Sequence, residues 1–348
     1  VVIVKVQKDT LGQLNVPSTR SWKSILKGSY MFILLIITVV ILSVVKLGEV
    51  EMFARGHFLN WDASIVNLFR MAVPIFTLVG GFTLIIISGH IDLSVGSALS
   101  LSAVIYSLMV LNGFNFATSL ITTLILGVGL GFINGFLIAR LRITPVIATL
   151  ITMSLYKGIA RLIVPAGVSA IKGSETRTMP AWINNYGREG VLAGLPAAFF
   201  VAIAVIIVMI IVQKGTVLGR HTIAIGGNMQ AAELSGINVV RTVWILYVIV
   251  GICAALAGVA RASYMSLGDP LMGDAMVLDC LIATLLGGTY IWGGEGSVIK
   301  AVVGALIIMC INIGLMTVIP PYWQLFIKGA VLVLAVALIN YLAKEKSL

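Results

Sequence analysis

Apolar residues in this chain neither alternate nor keep to one helical face; they run on in long blocks separated by short polar joins. The blocks lie near 29–48, 71–88, 93–111, 117–139, 144–164, 197–213, 242–262, 275–292, 297–318 and 323–342. A helix that is apolar all round belongs in a large core or in lipid, and about 20 such residues cross a bilayer. The pattern therefore predicts an all-α, polytopic membrane protein with ten transmembrane helices. The least regular block is 275–292, which contains Asp279, and the tightest joins are 89–92 and 293–296.

Composition agrees with that reading. Of the 348 residues, 59% are hydrophobic and only 10% are charged, against about 25% charged in soluble domains. A soluble enzyme, a disordered chain and a disulfide scaffold are excluded. The net charge of +10 does not point to nucleic acid, because the basic residues sit where they orient spans. Short loops on the predicted cytoplasmic side carry Arg140 and Arg142, then Lys214, Arg220 and Arg241, then Lys344 and Lys346. The join at 112–116 on the other side has no charge, and the 49–70 segment leans acidic, with Glu49, Glu51 and Asp62 against Arg55 and Arg70. The positive-inside rule then places both termini in the cytoplasm.

The organisation expected is a cytoplasmic N-terminal segment (1–28), a transmembrane domain (29–342) and a short cytoplasmic tail (343–348). The 29–48 block is longer than a signal-peptide core and lacks a small-residue cleavage site, so it reads as a retained span. Within the transmembrane domain, 164–196 is a long external loop and 214–241 a long cytoplasmic one. In the external loop, Trp182 and Tyr186 share a helical face and suit the headgroup level.

Gly127, Gly131 and Gly135 recur every four residues in the fourth block. That spacing lets a neighbouring helix approach at backbone distance, with Asn134 beside the face and able to bond across it. Cys253, Cys280 and Cys310 lie in apolar blocks without metal-ligand spacing. The dipeptide Gly-Lys never occurs, so the chain has no phosphate loop of its own. His57, His90 and His221 fall in separate loops, with no metalloprotease motif.

Two short segments hold most of the information. In GHIDLSVGS (Gly89–Ser97), Gly89 ends one span and Asp92 is placed to accept from the first free N–H groups of the next. Such a reversal is either a tight hairpin or a broken helix pair of the sort that carries substrate in transporters. In the 214–241 loop, Gly226, Gly227 and Asn228 form a turn, Met229–Leu234 a short helix and Gly236 its end. The helix offers small side chains, Ala231 and Ala232, beside Gln230 and Glu233, a surface suited to a groove on a partner.

These residues carry a resemblance. Gln230-Ala231-Ala232-x-x-x-Gly236 resembles the EAA-x-x-x-G coupling motif of ATP-binding-cassette importer permeases, with Gln where Glu is usual. In order along the chain, GHIDLSVGS, TPVIATLITMSLYKGIA, AIGGNMQAAELSGI, ALAGV, LLGGTYIWGGEGSV and WQLFIKGAVLVLAV resemble signature segments of the ribose/xylose/arabinose-type sugar permeases. The resemblance covers about residues 65–342. The departures are His90 and Met229-Gln230, where relatives often have Gly and Glu-Glu.

The resemblance implies a ten-helix subunit of the vitamin-B12-importer-like (type II) architecture, working as a permease homodimer in the bacterial inner membrane. It implies as partners a second copy or a closely related second permease, two cytoplasmic ATPase subunits or one fused double ATPase, which hold ATP and Mg, and an external sugar-binding protein. This chain would bind no cofactor and catalyse nothing itself. Residues 226–236 become the candidate ATPase contact.

Asn67, Asp92, Ser97, Asn134, Thr149, Asp279 and Asn312 are candidates for a solute pathway, since a neutral sugar needs hydroxyl and amide groups rather than charge. Lys157 and Arg161, four apart near the outer end of one span, and Arg261 at the outer end of another, are candidates for docking the binding protein through charge complementarity. Asp279 could instead pair with one of those bases. The alternative reading is a cation-coupled secondary transporter, in which Asp279 would carry the ion or proton.

Overall fold

The computed structural model describes residues 35–38, 65–164, 180–316, 323–324 and 326–333. The expected N-terminal segment, most of the first span and the C-terminal tail lie outside these residues. What is described is built of helices and connecting turns, with an isolated bridge between Leu192 and Leu195. The helices are α1 (Val66–Ile87), α2 (Val95–Leu111), α3 (Phe116–Gly135), α4 (Pro145–Ile163), α5 (Ala181–Gly187), α6 (Ala197–Gly215), α7 (Val217–Gly227), α8 (Met229–Leu234), α9 (Val239–Met265), α10 (Met276–Leu286) and α11 (Val298–Met316). A further helical segment covers 326–333.

Among the described residues, five helices are long and apolar enough to cross a membrane: α1, α3 with its continuation to Arg140, α4, α6 and α9. Each coincides with an apolar block of the sequence. Burial divides them into two layers. In α1 and α9 most residues are inside the protein, whereas α3, α4 and α6 turn apolar faces outward, including Ile125, Phe132, Ile151, Leu155, Ile207 and Ile211. An outward face of branched aliphatic side chains is what lipid contact requires.

The centre is α9. Gly127 and Gly131 of α3 lie against Gly251 and the Tyr247–Val248 backbone of α9, and Gly135 lies under the Trp244 ring. A Cβ at Gly131 would overlap the Tyr247 carbonyl. On another side Gly258 of α9 meets the Leu99 carbonyl and Ser102 of α2. The glycine spacing is thus a packing device, and Asn134 does bond outward from it. By contrast, the neighbouring Gly129 has open space around its Cβ direction.

The block at 275–292 is not a full helix. α10 has 11 residues, a length of about 16 Å, short of the roughly 30 Å hydrocarbon core. The chain before it, 266–275, is irregular and runs along α2. Gly268 sits on the Ala103 carbonyl and Ser107, Gly273 sits on Gly96, and the Gly273 N–H donates to Ser100 Oγ at 2.8 Å. Irregular backbone at membrane depth is tolerated only where protein covers it, and the small residues of α2 provide that cover. Apolar count alone could not distinguish this arrangement from a helix.

Substituting Gly131 with Val should lower the thermal stability of the detergent-purified protein by about 1–3 kcal/mol or more. Gly129→Val should leave it nearly unchanged. Melting followed by fluorescence-detected size exclusion distinguishes the two, and equal losses would contradict the close α3–α9 contact.

Candidate functional site

The 214–241 loop is mostly helix. After α6 ends at Gly215, Thr216 caps α7 by accepting from the Gly219 N–H at 3.3 Å. α7 then runs to Gly227, where a loop turn was expected. Asn228 breaks the helix and caps α8, its Oδ1 accepting from the Ala231 N–H at 2.9 Å. At the other end Gly236 adopts φ +84°, with Gly236 N–H donating to the Glu233 carbonyl and Ile237 N–H to the Ala232 carbonyl. That is a Schellman closure, and it fixes α8 at the six residues predicted from the sequence. The exposed side chains of α8 are Met229, Gln230, Ala231, Glu233 and Leu234, the last 90% exposed. Ala232 is buried instead. The expectation that both alanines face a partner is corrected: they are adjacent, and a helix points adjacent residues about 100° apart.

The base of this arm meets two other turns. Gly226 packs on the Ile87 carbonyl and on Gly294, while Gly293 packs on Gly89 and Gly226. The Gly294 N–H donates to the Ile87 carbonyl at 2.8 Å. Gly89, Gly293 and Gly294 all have φ near +80 to +90°, a region glycine enters freely. From α6, Gln213 fixes the same turn, donating to the Gly296 carbonyl at 2.9 Å and accepting from the Val298 N–H at 3.0 Å. The ends of α1, α6, α7, α10 and α11 are thus joined with no side chain between the glycines.

Several solute-pathway candidates form one buried chain. Asp92 Oδ1 accepts from the Ser94 N–H at 2.8 Å and from Ser94 Oγ at 2.6 Å. Asn134 Nδ2 donates to Ser94 Oγ at 2.7 Å, and Thr152 Oγ1 donates to Asn134 Oδ1 at 2.6 Å. The turn after α1, α3 and α4 are tied together through it. Asp92 therefore caps the turn at Ser94 rather than the first N–H groups of α2. Ser97 donates to the Ser94 carbonyl and Thr149 to the Pro145 carbonyl, and both are buried. Asn67 accepts from the Tyr264 hydroxyl at 3.5 Å, a marginal contact. Sequence spacing did not reveal Ser94 and Thr152 as members of this chain.

Asp279 lies one turn into α10 and is 1% exposed. Its Oδ1 is 2.8 Å from Lys328 Nζ, in the 326–333 helix, and its Oδ2 accepts from Asn312 Nδ2 at 3.1 Å. Its partner is therefore none of the three bases expected from the sequence, because Lys328 lies 49 positions away and no local pattern links the two. Asn312 Oδ1 is buried and unpartnered among the described residues. Of the expected docking bases, Lys157 pairs with Asp274 at 2.6 Å, both side chains partly exposed. Arg161 is exposed. Arg261 is drawn inward, with a buried Nε that lacks a hydrogen-bond partner among the described residues.

The three cysteines are free and buried, and no group of three or more His, Cys, Asp or Glu side chains converges among the described residues. Breaking the Asp279–Lys328 pair from one side, by Asp279→Asn or Lys328→Met, should cost about 3–5 kcal/mol. The double variant should cost clearly less than the sum. A double-mutant cycle on detergent-phase melting measures this, and strict additivity would mean the pair is not coupled.

The chain matches the family model "Branched-chain amino acid transport system / permease component" over residues 64–336. It is 34% identical to the ribose import permease protein RbsC of Bacillus subtilis, over 79% of this chain and 84% of that protein. With the Haemophilus influenzae protein of the same name it shares 33%, over 90% and 94% of the two chains. It is 33% identical to the galactofuranose transporter permease protein YtfT of Escherichia coli, over 80% of this chain and 79% of that protein. No solved structure matches the chain. A helical membrane protein with these matches is a transport subunit rather than a catalyst, and it belongs to the family of branched-chain amino acid transport system permease components.

Proposed function

We propose that the chain is the permease subunit of an ATP-driven importer, moving a neutral monosaccharide across the bacterial inner membrane. The observation that carries this reading is the α7–α8 arm. Its outer face presents Ala231 and Leu234 to a partner, and its base is fixed in the glycine junction with the ends of α1, α10 and α11. A partner that grips α8 moves those ends with it. The partner is an ATP-binding-cassette ATPase that holds ATP and Mg, and the side bearing α8 is cytoplasmic.

Ribose and galactofuranose in the names of the relatives support a monosaccharide as cargo. So does the charge distribution. Asp92 is held by Ser94 and Asp279 by Lys328, so neither is a bare carboxylate of the kind that ion coupling needs. That weighs against the cation-coupled alternative. The complete assembly is two permeases of ten spans each, in the B12-importer-like arrangement, with both termini cytoplasmic. An external sugar-binding protein docks opposite α8, where Arg161 and the Lys157–Asp274 pair are exposed. The Asp92–Ser94–Asn134–Thr152 chain and the Asp279–Lys328–Asn312 cluster engage most of the candidate pathway groups within one protomer, which favours passage of a sugar between the two permeases.

In proteoliposomes, ATP should drive uptake of labelled pentose or hexose when the ATPase and binding protein are present. A sodium or pH gradient without ATP should not, and gradient-driven uptake would overturn the reading. Leu234→Asp and Ala231→Arg should each reduce ATPase co-purification about tenfold or more while leaving the detergent-phase melting point unchanged. Full retention of the ATPase by both would remove α8 as the contact.

A further inference from the structure

Beside α8 lies a cavity of about 370 Å³, within the size range of small-molecule sites. Its walls come from four places: His90 in the turn after α1, Ile138 to Pro145 around the start of α4, Met229 and Glu233 of α8, and the first turns of α9. His90 and Met229 face the same space. The rim residue Arg142 has φ +57°, a conformation costing a non-glycine residue about 1–2 kcal/mol. It follows a π-helical turn, Phe136–Arg140. Wide turns and strained residues of this kind concentrate at functional sites.

The hydrogen-bond character of the floor can be derived. Ser88 Oγ gives its proton to the Ile85 carbonyl at 2.7 Å, so toward His90 it can only accept. The Ser88 carbonyl, 2.9 Å from His90 Nδ1, also can only accept. Nδ1 must therefore carry the proton, shared between the two. Burial pushes the imidazole below its ordinary pKa, so the ring is neutral near pH 7 and Nε2 presents a bare lone pair. His90 is buried and lines the cavity, and no described residue bonds Nε2.

The cavity thus offers a fixed acceptor in His90, a second acceptor in Glu233, a fork of donors in Arg142 and a hydroxyl in Thr144, over aliphatic walls that include Ile138 and Val243. Arg142 and Glu233 carry opposite charges and the ring carries none. A phosphate would meet Glu233 and an ammonium would meet Arg142. A neutral molecule with several hydroxyls and an apolar C–H face can donate to His90 and Glu233, accept from Arg142 and rest on the aliphatic walls.

We propose that this cavity is a product-side site for a neutral monosaccharide, and that the bound sugar restrains α8 and slows the transport cycle. The inference rests on the transport reading above and adds a regulatory site to it. The mechanism is one of differential affinity. Because α8 is one wall and α4 and α9 are others, a ligand that bridges them favours the arrangement in which they are close. Sugar accumulated on the inside would then hold back the movement that an ATPase imposes on the arm.

The test uses the purified chain and the reconstituted importer, with D-ribose, D-galactose and D-ribose 5-phosphate as probes. The wild-type chain, without binding protein, should bind at least one free sugar saturably in the millimolar range, and the phosphorylated sugar more weakly. His90→Leu should weaken that binding about tenfold. Sugar on the α8 side should slow ATP turnover several-fold in the wild type. Arg142→Asn, which tolerates the left-handed backbone, should abolish that slowing. No saturable binding in the wild type, tighter binding of the phosphate, or unchanged binding by a well-folded His90→Leu protein would each overturn the proposal. These outcomes leave the transport reading standing if ATP still drives uptake from the opposite side. Absence of that uptake for every sugar removes both.

Discussion

The protomer depends on α9 lying against α2 and α3 at backbone distance. In lipid no hydrophobic force drives helices together, since the tails are as apolar as leucine, so association relies on close packing and interhelical bonds. Gly127, Gly131 and Gly251 on one side and Gly258 on the other allow that packing. With α9 in place, Tyr247 reaches the Ile91 carbonyl and steadies the turn that carries His90 and Asp92. The same approach sets the distance at which Asn134 can join Ser94 to Thr152.

Polar chemistry in the described bundle is directed inward. The Asp92–Ser94–Asn134–Thr152 chain holds three segments together, and Asp279 with Lys328 and Asn312 holds the C-terminal third. Such groups keep register where apolar side chains alone would allow sliding. What is left open lies at the two ends: the exposed face of α8 with the cavity beside it, and the Lys157–Asp274 and Arg161 side. A passive lattice with active ends suits a subunit that converts another protein's movement into its own.

Much of this was legible in the sequence because its causes are local. Block length gave the long helices; glycine spacing gave the α3 packing face; Asn228 and Gly236, a cap and a stop, gave α8 to the residue. What escaped was set by distant parts of the chain. Nothing near Asp279 announces Lys328, and nothing near Gly273 announces that Ser100 will receive its N–H. α7 escapes a sequence reading because Gly219, Gly226 and Gly227 suggest a loop, whereas Gly219 and Gly226 allow close backbone contact at the helix ends. Ala232 was misplaced by reading two adjacent alanines as one surface.

The irregular 266–275 segment, with the short α10 behind it, bears on how the chain enters a membrane during synthesis. Eleven residues carrying a carboxylate form a poor candidate for insertion alone, and the bare backbone before them is worse. Both become acceptable only against α2, which precedes them, and Lys328, which follows. The C-terminal third of the bundle must therefore enter as a unit, after the N-terminal helices have assembled to receive it.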